Sequence, residues 1–106
     1  MPDDEGHPLP EEMDLRTLLH ALADPLRFGV ITRFLREPEG TERTCASFQL
    51  PVSKSTTSHH FKVMREAGLL RMVDRGNSRT AVLRRKDLDE RFPGLLDLVA
   101  AEPYDA

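Results

Sequence analysis

The stretch Ser53 to Leu70, SKSTTSHHFKVMREAGLL, constrains the fold more than any other part of the chain. Ser53 follows Pro51-Val52 and is a residue type whose hydroxyl caps helix N-termini. Gly68 is the residue expected just past a helix C-terminus, where a left-handed backbone is needed. The interval holds about four turns of helix at 3.6 residues each. At about 100° per residue, Thr57, His60, Phe61 and Met64 gather on one side, with Val63 on its flank. Ser55, Ser58, His59 and Lys62 gather on the other. One face suits a core; the other is short, polar and basic towards its start. Short hydroxyls with Lys and His let a helix lie deep in the major groove, where they reach base edges and phosphates. The spacing therefore predicts a recognition helix. Ser55, Thr56, Ser58, His59 and Lys62 would enter the groove, with Lys54 near the DNA backbone at the helix entrance.

The neighbouring segments agree. Thr44 to Leu50, TCASFQL, reads as one short helix joined to the next by Pro51-Val52, which gives helix, turn, helix. After Gly68, two β-prone runs, Leu69 to Asp74 and Arg79 to Leu83, flank the turn formers of Arg75-Gly76-Asn77-Ser78. A hairpin directly after a recognition helix is a wing. This one carries Arg75 and Arg79, placed to grip phosphate or the minor groove.

The runs SHHFKVMREAGLL (Ser58 to Leu70), SKST before it, and ALADPLRFGVITRFL (Ala21 to Leu35) resemble the DNA-binding part of ArsR-type winged-helix repressors. Together they span most of Ala21 to Leu83. The resemblance implies a homodimeric cytoplasmic repressor that leaves a palindromic operator on sensing a metal, metalloid or other signal.

Charge is distributed as such a protein needs. The net charge of −3 counts at first against DNA, but residues 51–86 carry nine bases against Glu66 and Asp74. Six acids lie within residues 1–14 and six more within residues 87–106, so the ends should lie away from DNA. At 106 residues the chain fits one domain. No apolar run approaches the roughly 20 residues of a membrane span, and Met1 opens no signal peptide, so no membrane partner is expected. The lone Cys45 points to a reducing cytoplasm rather than a disulfide framework.

Taken in order, residues 1–10 with their three prolines read as a disordered arm. Residues 11–101 read as the DNA-binding and dimerisation domain, and residues 102–106 as a tail. Leu15, Leu18, Leu19 and Leu22 give Glu11 to Ala23 an amphipathic helical pattern. Asp24-Pro25 is a helix start, burying Leu26, Val30, Ile31, Phe34 and Leu35 up to Pro38. Glu37 to Arg43 reads as a polar loop. Leu88, Phe92, Leu95, Leu96 and Val99 repeat at helical spacing, with a break expected at Phe92 and a fresh helix from Pro93. Leu15, Leu18 and Leu22 with Leu95, Leu96 and Val99 are expected to meet their copies across a two-fold axis, holding two recognition helices about one DNA turn apart.

Other chemistries find little support. His59 and His60 point about 100° apart on a helix and cannot share one ion, so His60 should pack inward and His59 face the groove. Thiolate-sensing relatives, on the resemblance, carry paired cysteines near the first helix of the helix-turn-helix. Here RTCASFQ holds Cys45 alone, and one thiolate cannot hold a soft metal. Residues 87–101 lack any His, so the last helix offers no metal ligand set of that kind either. Cys45 reads as a small buried residue or a redox-sensitive thiol, and no metal or cofactor is expected. Ser58-His59 lacks an orienting acid, and no phosphate-binding glycine loop or carboxylate pair is present, so the chain is not expected to be an enzyme. The expectation is a mainly α fold with one β-hairpin, a winged helix-turn-helix dimerising through its terminal helices. Its partners would be double-stranded DNA, a second copy, and a small-molecule or redox effector. A winged helix that binds protein, with weak or no DNA binding, is the alternative.

Overall fold

Local capping chemistry starts each of the first three helices. The computed structural model describes residues 6–103. Helix α1 (Leu15–Ala23) begins at Asp14, whose Oδ2 accepts the Thr17 N–H at 3.0 Å. Helix α2 (Pro25–Leu35) begins at Asp24, whose Oδ2 accepts from Leu26 N at 2.9 Å and Arg27 N at 3.1 Å. Burial pushes the Asp24 carboxyl up, but the N–H donors of Arg27 and Leu26 and the charge of Arg27 hold it below the usual Asp range. Helix α3 (Lys54–Ala67) begins at Ser53, whose Oγ accepts from Thr56 N at 3.2 Å. It stops at Gly68, where φ is +98° and an added Cβ would come within 2.9 Å of the Met13 side chain. Conformation and space thus both demand glycine there.

The wing is as drawn from the sequence, with one strand added. Strands β2 (Leu70–Asp74) and β3 (Arg79–Leu83) form an antiparallel hairpin from Leu70 opposite Leu83 to Asp74 opposite Arg79. Strand β1 (Glu42–Thr44) pairs antiparallel with the other edge of β3, giving the sheet order β1-β3-β2. The end of the expected polar loop is therefore an edge strand. A 3-10 turn, Cys45–Phe48, replaces the first helix expected over Thr44 to Leu50, and a second 3-10 turn, Pro10–Glu12, precedes α1.

The core lies where α1, α2, α3 and the sheet meet. Leu18 and Ala21, Val30, Ile31 and Phe34, Phe61 and Met64, and Leu70 and Ala81 are buried there. Phe48 joins the layers, with its ring centroid 5.2 Å from Phe34 and 5.8 Å from Phe61. Such aromatic pairs add about 0.5–1.5 kcal/mol each beyond their buried area. Helix α4 (Arg85–Arg91) ends at Phe92, and α5 (Leu95–Ala101) opens after Gly94. The fresh helix thus starts two residues beyond Pro93, because Gly94 takes φ +90°. No helix among the described residues is long and apolar enough to cross a membrane.

Two expectations are corrected. Of the residues read as a disordered arm, 1–5 lie outside the described residues, and 6–10 are packed. His7 is buried and its Nε2 accepts the Met72 N–H at 2.9 Å, on β2, while Pro8 O accepts from Arg84 Nη1 at 2.7 Å. Pro8 and Pro10 lie in an ordered strap, because its polar groups find partners on the wing and at the start of α4. The second correction concerns the two-fold contact. Leu18, Leu22, Leu96 and Val99 are buried within one chain, which leaves little of their surface for a second copy. Leu15, 44% exposed, and half-buried Leu95 remain, joined by Leu19 at 48% and Leu98 at 72%. The repeat on α1 covered more than one face, and packing turns Leu18 and Leu22 inward.

Candidate nucleic-acid interface

Helix α3 divides as its periodicity requires. His60, Phe61, Met64 and Ala67 are buried, whereas Lys54, Ser55, Thr56, Ser58, His59 and Lys62 are all exposed. The two histidines take different roles. His59 faces outward, while the Nδ1 of His60 accepts from Arg27 Nη1 at 3.0 Å in a buried contact. Ser53 Oγ lies 3.2 Å from Ser55 Oγ and donates to Thr56 Oγ1 at 2.9 Å, so the cap also holds the first two hydroxyls of the exposed face. Ser58, His59 and Lys62 make no side-chain hydrogen bond or ion pair among the described residues and present open donors and acceptors.

The two wing arginines, equivalent in sequence, part company in space. Arg75 donates Nε and Nη2 to the Glu42 carboxylate at 2.9 and 2.7 Å, a fork that ties the wing tip to β1. That fork, with a hydrogen bond from Thr80, holds the Glu42 carboxyl below the usual carboxylate range, and Glu42 in turn raises the Arg75 pKa. Arg79 is exposed and forms no ion pair among the described residues, so its charge is not spent within the wing.

Several other bases of the charge count are structural. Arg84 binds Pro8 O and Asp87, and Arg85 donates to the carbonyls of Phe34 and Glu37. Arg27 is buried against Ala21 O and His60, Arg33 donates to Phe48 O, and Arg43 stacks 4.0 Å from the Phe48 ring centroid. Arginine is suited to this, since its guanidinium satisfies several acceptors at once. Lys54, Lys62, Arg71, Arg79 and Lys86 remain exposed without an ion pair among the described residues.

Between the Cys45–Phe48 turn, α3 and the wing tip runs a groove of about 830 Å³. Cys45 sits in it half-buried; burial pushes its thiol above the usual range, while the Arg79 charge pulls the other way. Sequence reasoning missed three residues here. Glu42 anchors the wing; Arg65 lines the groove from α3; Gln49 turns the chain from the 3-10 turn towards α3 with φ +50°, the one positive φ of a non-glycine among the described residues. Of these only Gln49, just before Leu50-Pro51, stood where a turn residue was due.

Residues 22–73 match a family described as a helix-turn-helix domain. A solved ArsR family transcriptional regulator aligns with a TM-score of 0.64 at 21% identity, covering 79% of this chain and 90% of its own. An ArsR-like transcriptional regulator from Rhodococcus sp. RHA1 gives 0.59 at 22% identity, covering 81% and 79%. A possible transcriptional regulator for arsenical resistance gives 0.59 at 26% identity, covering 79% and 84%. No curated protein matches the sequence. The class is therefore a winged helix-turn-helix protein. Within that class, the chain is similar to the ArsR-type regulators of transcription with which it aligns.

Proposed function

We propose that the protein is a repressor that occupies a palindromic operator as a homodimer and reads sequence with α3. The observation that carries this reading is the exposed face of that helix. Ser55, Thr56, Ser58, His59 and Lys62 stand clear of the core on a helix whose other side buries His60, Phe61, Met64 and Ala67. Lys54 and Arg79 flank that face as free cations, suited to neutralising phosphates on either side of the bases. Exposed Leu15, Leu19 and Leu98 on α1 and α5, both packed on α2, offer an apolar surface to a second copy. A two-fold pairing would repeat the recognition helix about one DNA turn away.

Selection of duplexes from random DNA by the purified protein tests the reading. The expected product is an inverted repeat, bound with an affinity that falls steeply as salt rises. Enrichment of no sequence, or binding indifferent to salt, would favour a winged helix that binds protein instead.

A further inference from the structure

The groove beside α3 has more in it than a DNA backbone can use. Its floor is apolar, with Cys45, Leu50, Val52 and Phe61 among the lining. Its volume of about 830 Å³ falls within the roughly 300–1,000 Å³ of small-molecule sites. Every charged residue that lines it is a base, Lys54, Lys62, Arg65 and Arg79, in a chain whose net charge is −3. Phosphates would answer those cations, but a hydrated sugar-phosphate chain has little apolar surface to bury on such a floor.

We propose that this groove binds a small organic anion, a carboxylate on an apolar body, and that the bound anion displaces DNA. The body lies on the apolar floor and the carboxylate takes charge-assisted hydrogen bonds from the basic rim. Arg65 adds to the basic lining from α3, with its guanidinium packed against Gly6. Displacement follows from shared residues, and this half of the inference rests on the DNA-binding reading above. Lys54, Ser58, Lys62 and Arg79 line the groove and also belong to the candidate DNA face, so a carboxylate and a phosphate compete for the same cations. Each ligand then weakens the other by the same factor. The inducer left open by the lone cysteine is, on this view, an amphipathic acid.

The test uses the full chain, decanoate and 2-naphthoate as probes, and decanol and acetate as controls, all below micellar concentrations. Calorimetry without DNA reads binding; competition against a selected duplex reads displacement. At least one carboxylate is expected to bind and, at saturation, to weaken DNA affinity about tenfold or more, while decanol and acetate do neither. Thr57→Trp, at a half-buried position that lines the groove, is expected to obstruct it and abolish carboxylate binding with the thermal melt unchanged. Binding of neither carboxylate overturns the proposal, as does decanol binding as well as decanoate. So does a bound carboxylate that leaves DNA affinity unchanged, or a folded T57W protein that still binds it. If T57W does not fold, the wild-type measurements decide. Carboxylate binding by a protein that selects no DNA would refute the DNA reading and leave the anion site standing. DNA selection without carboxylate binding does the reverse.

Discussion

Arg27 donates to the Nδ1 of His60 across 3.0 Å, both residues buried, and so ties the start of α2 to the middle of α3. Arginine has no acceptor, so the His60 proton must lie on Nε2. The same guanidinium holds Ala21 O at 2.8 Å, and Asp24 Oδ2 lies 3.9 Å from the His60 ring. The corner between α1 and α2 thus sets the rotation of α3 about its axis, on which the aim of Ser58 and His59 depends.

His60→Leu is expected to leave an Arg27 N–H buried without its acceptor, at a cost of about 1–3 kcal/mol. Urea denaturation reads this directly. The double variant with Arg27→Leu should cost less than the sum of the two single changes, since the partners fail together. Additive losses would mean that the contact couples nothing.

Ser58→Ala and His59→Ala are expected to spare stability, because both side chains are exposed. Each should weaken binding to a selected duplex by about 1–3 kcal/mol while leaving random DNA little affected. Equal losses on the two DNAs, with the fold intact, would remove these residues from sequence reading.

The wing arginines should separate by salt and by pH. Arg79→Ala is expected to make the logarithmic salt slope shallower by about one unit on any DNA. Arg75→Ala should instead loosen the wing, seen as faster amide exchange in β1. The sign of the pH effect follows from Glu42. Its folded-state pKa lies below the ordinary 4.5, so the link to Arg75 contributes fully above pH 4.5 and is lost as pH falls through the lower folded value. Exchange in β1 should quicken over that acid range in the wild type and not in the Arg75 variant.

What the sequence made legible was local. Ser53 and Gly68 bound α3 because a cap and a left-handed stop each depend on a few neighbouring residues. The hairpin was legible for the same reason. Strand β1 was not, because Glu42 opposite Val82 and the Arg75–Glu42 fork are contacts across long stretches of chain. The stripe Leu15, Leu18, Leu19, Leu22 concealed a choice that only packing makes. Leu18 and Leu22 share one side and go inward, and Leu15 and Leu19 share another and stay out. The bases misled in the same way: residue type gave the charge, but Arg84 and Arg85 spend it on buried carbonyls.

The corrected leucines give a sharp contrast. Leu96→Ala is expected to destabilise the fold by about 2–5 kcal/mol, as truncation of a core leucine does. Leu98→Glu, at a position 72% exposed, should leave the monomer folded and abolish self-association in sedimentation. A Leu98→Glu protein that still dimerises would move the contact elsewhere.

Cys45 carries the last expectation, since the likeness to a possible regulator of arsenical resistance invites a metal reading that this chain's ligands do not favour. The thiol is half-buried, and burial pushes it above its ordinary 9.0 even though the Arg79 charge opposes that. At neutral pH it should stay protonated, and the thiolate is the form that binds metal or attacks an electrophile. Iodoacetamide is therefore expected to modify Cys45 more slowly than a free thiol at pH 7. The rate should rise only as the solution passes pH 9, and Arg79→Ala should slow it further. Two of the four histidines are committed elsewhere: His7 Nε2 accepts from Met72, and His60 Nδ1 from Arg27. Zinc or a chelator should accordingly leave operator affinity unchanged, with elemental analysis of the purified protein as the control. A stoichiometric metal that shifts DNA affinity by about tenfold, or 1.4 kcal/mol of coupling, would refute this and direct mutagenesis to Cys45 and His20.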